Sequence, residues 1–154
     1  MVSAVPGDQI GALMHQVVPM VATLGLEYAS VTAEEAVVIL RDRPEYRNHV
    51  GGPHAGAMFT VAESATGAVA IAAFGDMLDR AVLLPMTATI DFLSIARGDL
   101  TARARIEADV AQARESFESG VRPEFDILAT ITTAEGVQTG QVRARWTLKR
   151  LNRG

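Results

Sequence analysis

Cysteine is absent from the 154 residues. That excludes a disulfide framework, a thiolate nucleophile and a cysteine-ligated metal. An excess of positive charge is missing too: 14 Lys and Arg stand against 18 Asp and Glu, a formal net charge of -4. Nucleic-acid binders usually carry a basic footprint, so no nucleic-acid partner is expected. A local group of arginines could still hold a phosphorylated ligand. The start of the chain, MVSAVPGDQIG, lacks the basic and apolar regions of a secretory signal, which makes a cytoplasmic protein the expectation. The histidines, His15, His49 and His54, have no carboxylate partners at ligand spacing, so no metal is expected. Also missing are the G-x-S-x-G elbow, the P-loop and the dinucleotide fingerprint. Neither an internal repeat nor a low-complexity tract is present. The length fits one domain, 1–154, and a core of that size buries roughly 70% of the unfolded surface without a staple.

One apolar stretch, 55–75, is long enough to raise the question of a membrane span. It is rich in Ala, Gly, Ser and Thr and carries Glu63 near its middle. A carboxylate at the centre of a bilayer is costly, so the segment reads as a helix buried in a soluble protein, with no membrane partner.

Around it the hydrophobic period changes. Over 8–21, Ile10, Leu13, Met14, Val17, Val18 and Val21 recur at helical spacing, with Asp8 as the expected N-cap and Pro19 as a kink or stop. Segments 26–31 and 36–40 read as two strands joined by Thr32-Ala33-Glu34-Glu35, and a polar loop covers 41–53. The central helix is expected over 54–74, ended by Gly75 as a C-cap. Four further strand segments follow, 87–95, 100–110, 125–133 and 137–148, with Glu135-Gly136 turning the last pair and 111–124 as a loop. Strands segregated from one enclosed helix indicate an α+β domain, an antiparallel sheet wrapped on a single long central helix.

Chemistry concentrates in 48–63. A glycine-containing loop delivers the chain to a helix start, where unpaired N–H groups and the helix dipole favour negative charge. Asn48 and His54 lie just before that start, and Glu63 lies two turns beyond it in apolar surroundings that disfavour its ionised form. Each residue also has a structural reading. Glu63 could pair with Arg103 or Arg105, His54 could cap the helix, Asn48 could serve the turn, and Gly51, Gly52 and Gly56 could simply permit tight geometry. His49 reads as a solvated neighbour.

The spacing of Asn48, His54 and Glu63 resembles the active-site segment of hotdog-fold thioesterases of the phenylacetate-pathway (PaaI-like) type. The strand from Thr87 to Leu93 and the following Ala96-Arg97-Gly98-Asp99-Leu100 resemble that family as well. The resemblance implies a hotdog fold and an acyl-CoA thioesterase. In it Glu63 acts as general base or nucleophile, and backbone N–H groups at Ala55 and Gly56 hold the oxyanion. Asn48 orients water or the carboxylate, and His54 positions the loop or the carbonyl. It implies no cofactor beyond the coenzyme A of the substrate. It further implies a homodimer or a dimer of dimers, with Asn48 and Glu63 of one site coming from different chains. Two features depart from the family: Ala55 stands where its first glycine after the histidine would be, and Ala111-Gln112-Ala113-Arg114-Glu115-Ser116 replaces its basic stretch near the coenzyme A phosphates. A hotdog hydratase or dehydratase and a non-catalytic acyl-CoA-binding module are the alternatives.

Overall fold

Alternation of apolar and polar residues dominates the second half of the chain, and those segments pair into one sheet. The structure is a computed structural model that describes residues 5–152. Residues 1–4 and 153–154, the outer ends of the expected 1–154 domain and part of the stretch tested for a signal, lie outside the described residues. Six strands, β1 (Glu27–Val31), β2 (Ala36–Leu40), β3 (Ala81–Phe92), β4 (Leu100–Ile106), β5 (Glu124–Thr133) and β6 (Gln138–Arg150), pair antiparallel in the order β1-β2-β4-β5-β6-β3. Across one face lies the long helix α3 (Ala55–Phe74), seated against β2, β4, β5 and β6.

The composition of α3 explains its seat. Ala57, Ala62, Ala65, Ala68, Ala70 and Ala73 are buried with Val61 and Val69 between them. Small side chains let the strands approach, and full burial of each valine contributes roughly 1.5–3 kcal/mol. At Gly67 a Cβ would sit 3.4 Å from the Trp146 ring. Beside it the Trp146 Nε1–H donates to the Thr66 hydroxyl at 3.0 Å, and that hydroxyl donates to the Glu63 carbonyl at 2.7 Å. The polar atoms of this buried joint are thus satisfied. Ala55–Met77 is long and apolar enough to cross a membrane by length and composition, and most of it is enclosed by the sheet.

Several expectations change in detail. The N-terminal helix over 8–21 is two helices, α1 (Gly7–Val17) and α2 (Pro19–Leu24), because Val18 is extended before Pro19. Asp8 is no N-cap. Pro6 occupies that position and Asp8 lies in the first turn, where a negative charge still favours the dipole. Gly75 does not take the left-handed conformation but continues into a 3-10 turn, Gly75–Met77. There Arg114 caps the end of α3, donating to the Ala73 carbonyl and to Asp76.

β3 begins at Ala81, six positions before the expected start, and ends at Phe92. β4 stops at Ile106, and the expected loop contains α4 (Val110–Glu118), where Asp109 accepts from the Gln112 N–H at 3.2 Å. Ala113 and Phe117, four residues apart, are the buried side of that short helix.

Candidate active site

The approach to α3 is held by backbone bonds folded around Asn48. Its Oδ1 accepts from the N–H groups of Val50 (3.0 Å) and Gly52 (3.2 Å), and its Nδ2 donates to the Pro53 carbonyl at 3.2 Å. Both lone pairs of the amide oxygen are therefore used, and one N–H remains. Asn48 holds the loop, which is the structural reading of that residue.

Gly51 has φ +78°, a conformation open to glycine, and a Cβ on Gly52 would meet the Ala96 carbonyl oxygen at 2.3 Å. The loop is pressed against the strap 93–96 that follows β3. Arg97 fastens it from outside by donating to the Val50 carbonyl at 3.0 Å. His49 is exposed.

His54 is the N-cap of α3. Its Nδ1 accepts from the Gly56 N–H at 2.9 Å, so that nitrogen carries no proton and that N–H is occupied. The N–H of Ala55, in the same exposed first turn, has no partner among the described residues. Of the two expected oxyanion donors, Ala55 is the one left unpaired.

Glu63 stands eight residues further along the same helix, a rise of about 12 Å. It is half-buried, and burial pushes its carboxyl above the usual glutamate range. Its carboxylate has no ion-pair or hydrogen-bond partner among the described residues. Arg103 and Arg105, the partners considered for it, lie on the opposite face of the sheet and both bind Glu35, Arg105 through Nε at 2.7 Å. The structural reading of Glu63 as half of an ion pair therefore does not hold.

An open groove of about 420 Å³ runs beside the helix start, between the loop (Asn48, Val50, Pro53), the first turns of α3 (Ala55, Met58) and the strap from Phe92 to Ala96. Phe92, Leu93 and Ile95 are exposed there. The sequence pattern runs a strand through 95 and hides the strap. Its signal is an apolar run followed directly by the turn Arg97-Gly98-Asp99. Within one chain, then, Asn48 and Ala55 line the groove, and neither His54 nor Glu63 is among its lining residues. No group of three or more potential metal-ligating side chains occurs among the described residues.

The family model described as Domain of unknown function (DUF4442) matches residues 8–148. The chain belongs to the DUF4442 family. No curated protein sequence matches it.

Among solved structures, this DUF4442 chain is similar to a Pseudomonas aeruginosa protein of unknown function described as a probable thioesterase. The identity is 22%, with 96% of this chain and 97% of that one covered and a TM-score of 0.84. It is similar to a Chlorobaculum tepidum protein of unknown function at 12% identity, 94% coverage of each chain and TM-score 0.82. The Escherichia coli PaaI protein from the phenylacetic acid degradation operon gives 18% identity, coverage of 94% and 92%, and TM-score 0.68. These likenesses show the hotdog fold for the DUF4442 chain, as the sequence resemblance implied.

Proposed function

We propose that this protein hydrolyses acyl-CoA thioesters, with Glu63 as the catalytic carboxylate and the Ala55 N–H as oxyanion donor. The observation that carries the reading is Glu63 itself, a half-buried carboxylate with no partner on the central helix of a hotdog fold. A group in that state is poised as a base, because burial raises its proton affinity and nothing neutralises it. As base, Glu63 takes a proton from water while the water oxygen adds to the thioester carbonyl carbon. The resulting oxyanion meets the Ala55 N–H and the positive end of the α3 dipole. The C–S bond then breaks, and the leaving thiolate receives the proton from Glu63. As nucleophile, Glu63 would instead form a mixed anhydride that water hydrolyses.

A rise of about 12 Å separates the donor from the carboxylate on one helix, too far for both to touch one carbonyl. Two chains remove the difficulty. β3 is an edge strand of twelve residues whose Leu84, Met86 and Phe92 are exposed, an edge suited to pairing with a second copy. Antiparallel pairing of β3 with its twofold mate would bring the start of α3 in one chain toward Glu63 of the other.

Release of free thiol from acyl-CoA, read with a thiol-reactive dye across short, long and aromatic acyl chains, tests the activity. Thiol release that disappears in Glu63→Gln supports the reading. Binding of acyl-CoA without thiol release favours a binding module. Conversion of an enoyl or hydroxyacyl thioester without thiol release favours a hydratase.

A further inference from the structure

Tyr28 is the residue the proposed chemistry leaves unused. It sits on β1 opposite the buried Val38, a register that turns its side chain toward the helix-covered face of the sheet. α1 closes over it: a Cβ on Gly11 would lie 2.9 Å from the Tyr28 Cβ, and the His15 ring meets the phenol edge-on with centroids 6.3 Å apart. His15 is itself tied by a ring nitrogen to the Leu26 carbonyl at 2.6 Å, so the aromatic pair has little freedom. At the far end, the phenol faces α3, near enough for Ser64 and the charge of Glu63 to act on its proton.

Two incomplete groups lie in that region. The Tyr28 hydroxyl is buried and, among the described residues, is the one buried side-chain polar atom without a hydrogen-bond partner. Ser64 lies beside it but outside hydrogen-bond geometry. The Glu63 carboxylate is the neighbouring acceptor that lacks a donor. A buried hydroxyl left unpaired costs about 1–3 kcal/mol, and a turn of the Glu63 side chain toward the phenol would remove that penalty and give the carboxylate its missing donor at once.

We propose that Tyr28 is a positioning residue for Glu63, its hydroxyl donating to the carboxylate and selecting the rotamer that faces the thioester. The inference rests on the assignment of Glu63 as the catalytic carboxylate. Burial first, and then the charge of Glu63, holds the phenol proton far above the usual tyrosine range, so the group remains a donor throughout the working pH. It is not a proton-transfer group. Through Gly11 and His15 the seat of α1 on β1 also bears on the direction of the carboxylate.

Among the described residues, no other titratable side chain competes for this role. From the strands under α3, Arg103 and Arg105 bind Glu35, Arg143 binds Glu107, and Arg145 binds Asp126, all on the outer face. Asp91 on β3 is exposed, Glu27 on β1 is held by Arg41, and α1 offers only Asp8 in its first turn and His15 behind the phenol.

The test is Tyr28→Phe, which keeps the ring and removes the hydroxyl. A lost hydrogen bond to a carboxylate raises its proton affinity. The acid limb of the kcat/KM profile therefore moves up by about one pH unit, as does the Glu63 carboxyl titration followed by carbon NMR. kcat falls about tenfold with KM unchanged, since the acyl group is still bound. Gly11→Ala, which crowds the phenol without removing it, shifts the limb the same way by less.

An unmoved Glu63 titration in a folded Tyr28→Phe protein overturns the contact. A moved titration with an unmoved kcat and acid limb overturns the catalytic role of the contact. Thiol release that survives in Glu63→Gln overturns the parent assignment instead, and the two failures are thereby distinct.

Discussion

The start of α3 and its middle are built on opposite rules. At the start every polar group but a few has a local partner: Asn48 ties Val50, Gly52 and Pro53, and His54 caps Gly56. The loop there is fixed, and in the exposed first turn the N–H of Ala55 is left without a partner. In the middle the surroundings are apolar, and Glu63 and Tyr28 are left without partners. A rigid exposed frame suits the binding of a carbonyl, because its donor is already aimed. A buried unpaired carboxylate suits proton transfer, and it lowers folding stability for the same reason.

The sharpest way to break this contrast is Glu63→Gln. Thiol release should fall by roughly 10²–10⁴, measured under saturating acyl-CoA, while the protein gains stability near neutral pH. The sign follows from burial, which raises the folded-state proton affinity of Glu63. The ionised carboxylate therefore destabilises the fold once pH rises above the unfolded value of about 4.3. The advantage of Glu63→Gln in denaturant midpoint should vanish below that pH, and an equal midpoint at pH 7 would contradict the buried, unpaired state.

Next comes Ala55→Pro. Position 55 is the first residue of α3, where proline is tolerated, and His54 before it is already extended at φ -62°, ψ 143°. The change removes one N–H and keeps the helix, so kcat should fall by about 10²–10³ with little loss of stability. Mixing Ala55→Pro with Glu63→Gln chains sharpens the comparison further. If the two groups of one site come from different chains, statistical reassociation restores about a quarter of the wild-type activity. No recovery would place both groups in one chain.

Asn48→Ala should cost about 1–3 kcal/mol, because the Val50 and Gly52 N–H groups lose their acceptor. The reading is a lower denaturant midpoint with a raised KM. The smallest effect belongs to His54→Ala, about 1 kcal/mol for a lost cap, visible in thermal unfolding. Activity that dropped as far as in Glu63→Gln would show His54 to be more than a cap.

Much of the fold is legible in the order of residues. The α3 segment declares itself through its length, its small residues and its one carboxylate, and the antiparallel pairs declare themselves through period-two alternation. The features that stay hidden do so for physical reasons. The start of β3 escapes notice because Ala81-Val82-Leu83-Leu84 is apolar throughout, and an unbroken apolar run does not distinguish strand from helix. α4 is silent because only two of its residues, Ala113 and Phe117, are buried, too few to set a period. At Gly75 the residue type suggests the left-handed conformation, yet Arg114 satisfies the end of α3 from another element.

For the site, the sequence determined which groups are present and their order along the chain: Asn48, His54, the helix start and Glu63. It also determined that Glu63 would lie in apolar surroundings, since helical neighbours within a few residues fix the local environment. Tertiary structure alone decided which of these groups remain unpaired. Arg103 and Arg105 turn away because strand alternation puts them on the far face with Glu35, and His54 spends one nitrogen on Gly56. Tyr28, thirty-five positions before Glu63 in the sequence, comes beside it because β1 runs under α1 at the edge of the same face. Pairing over that distance depends on the register of strands and the seat of helices, which no local spacing encodes.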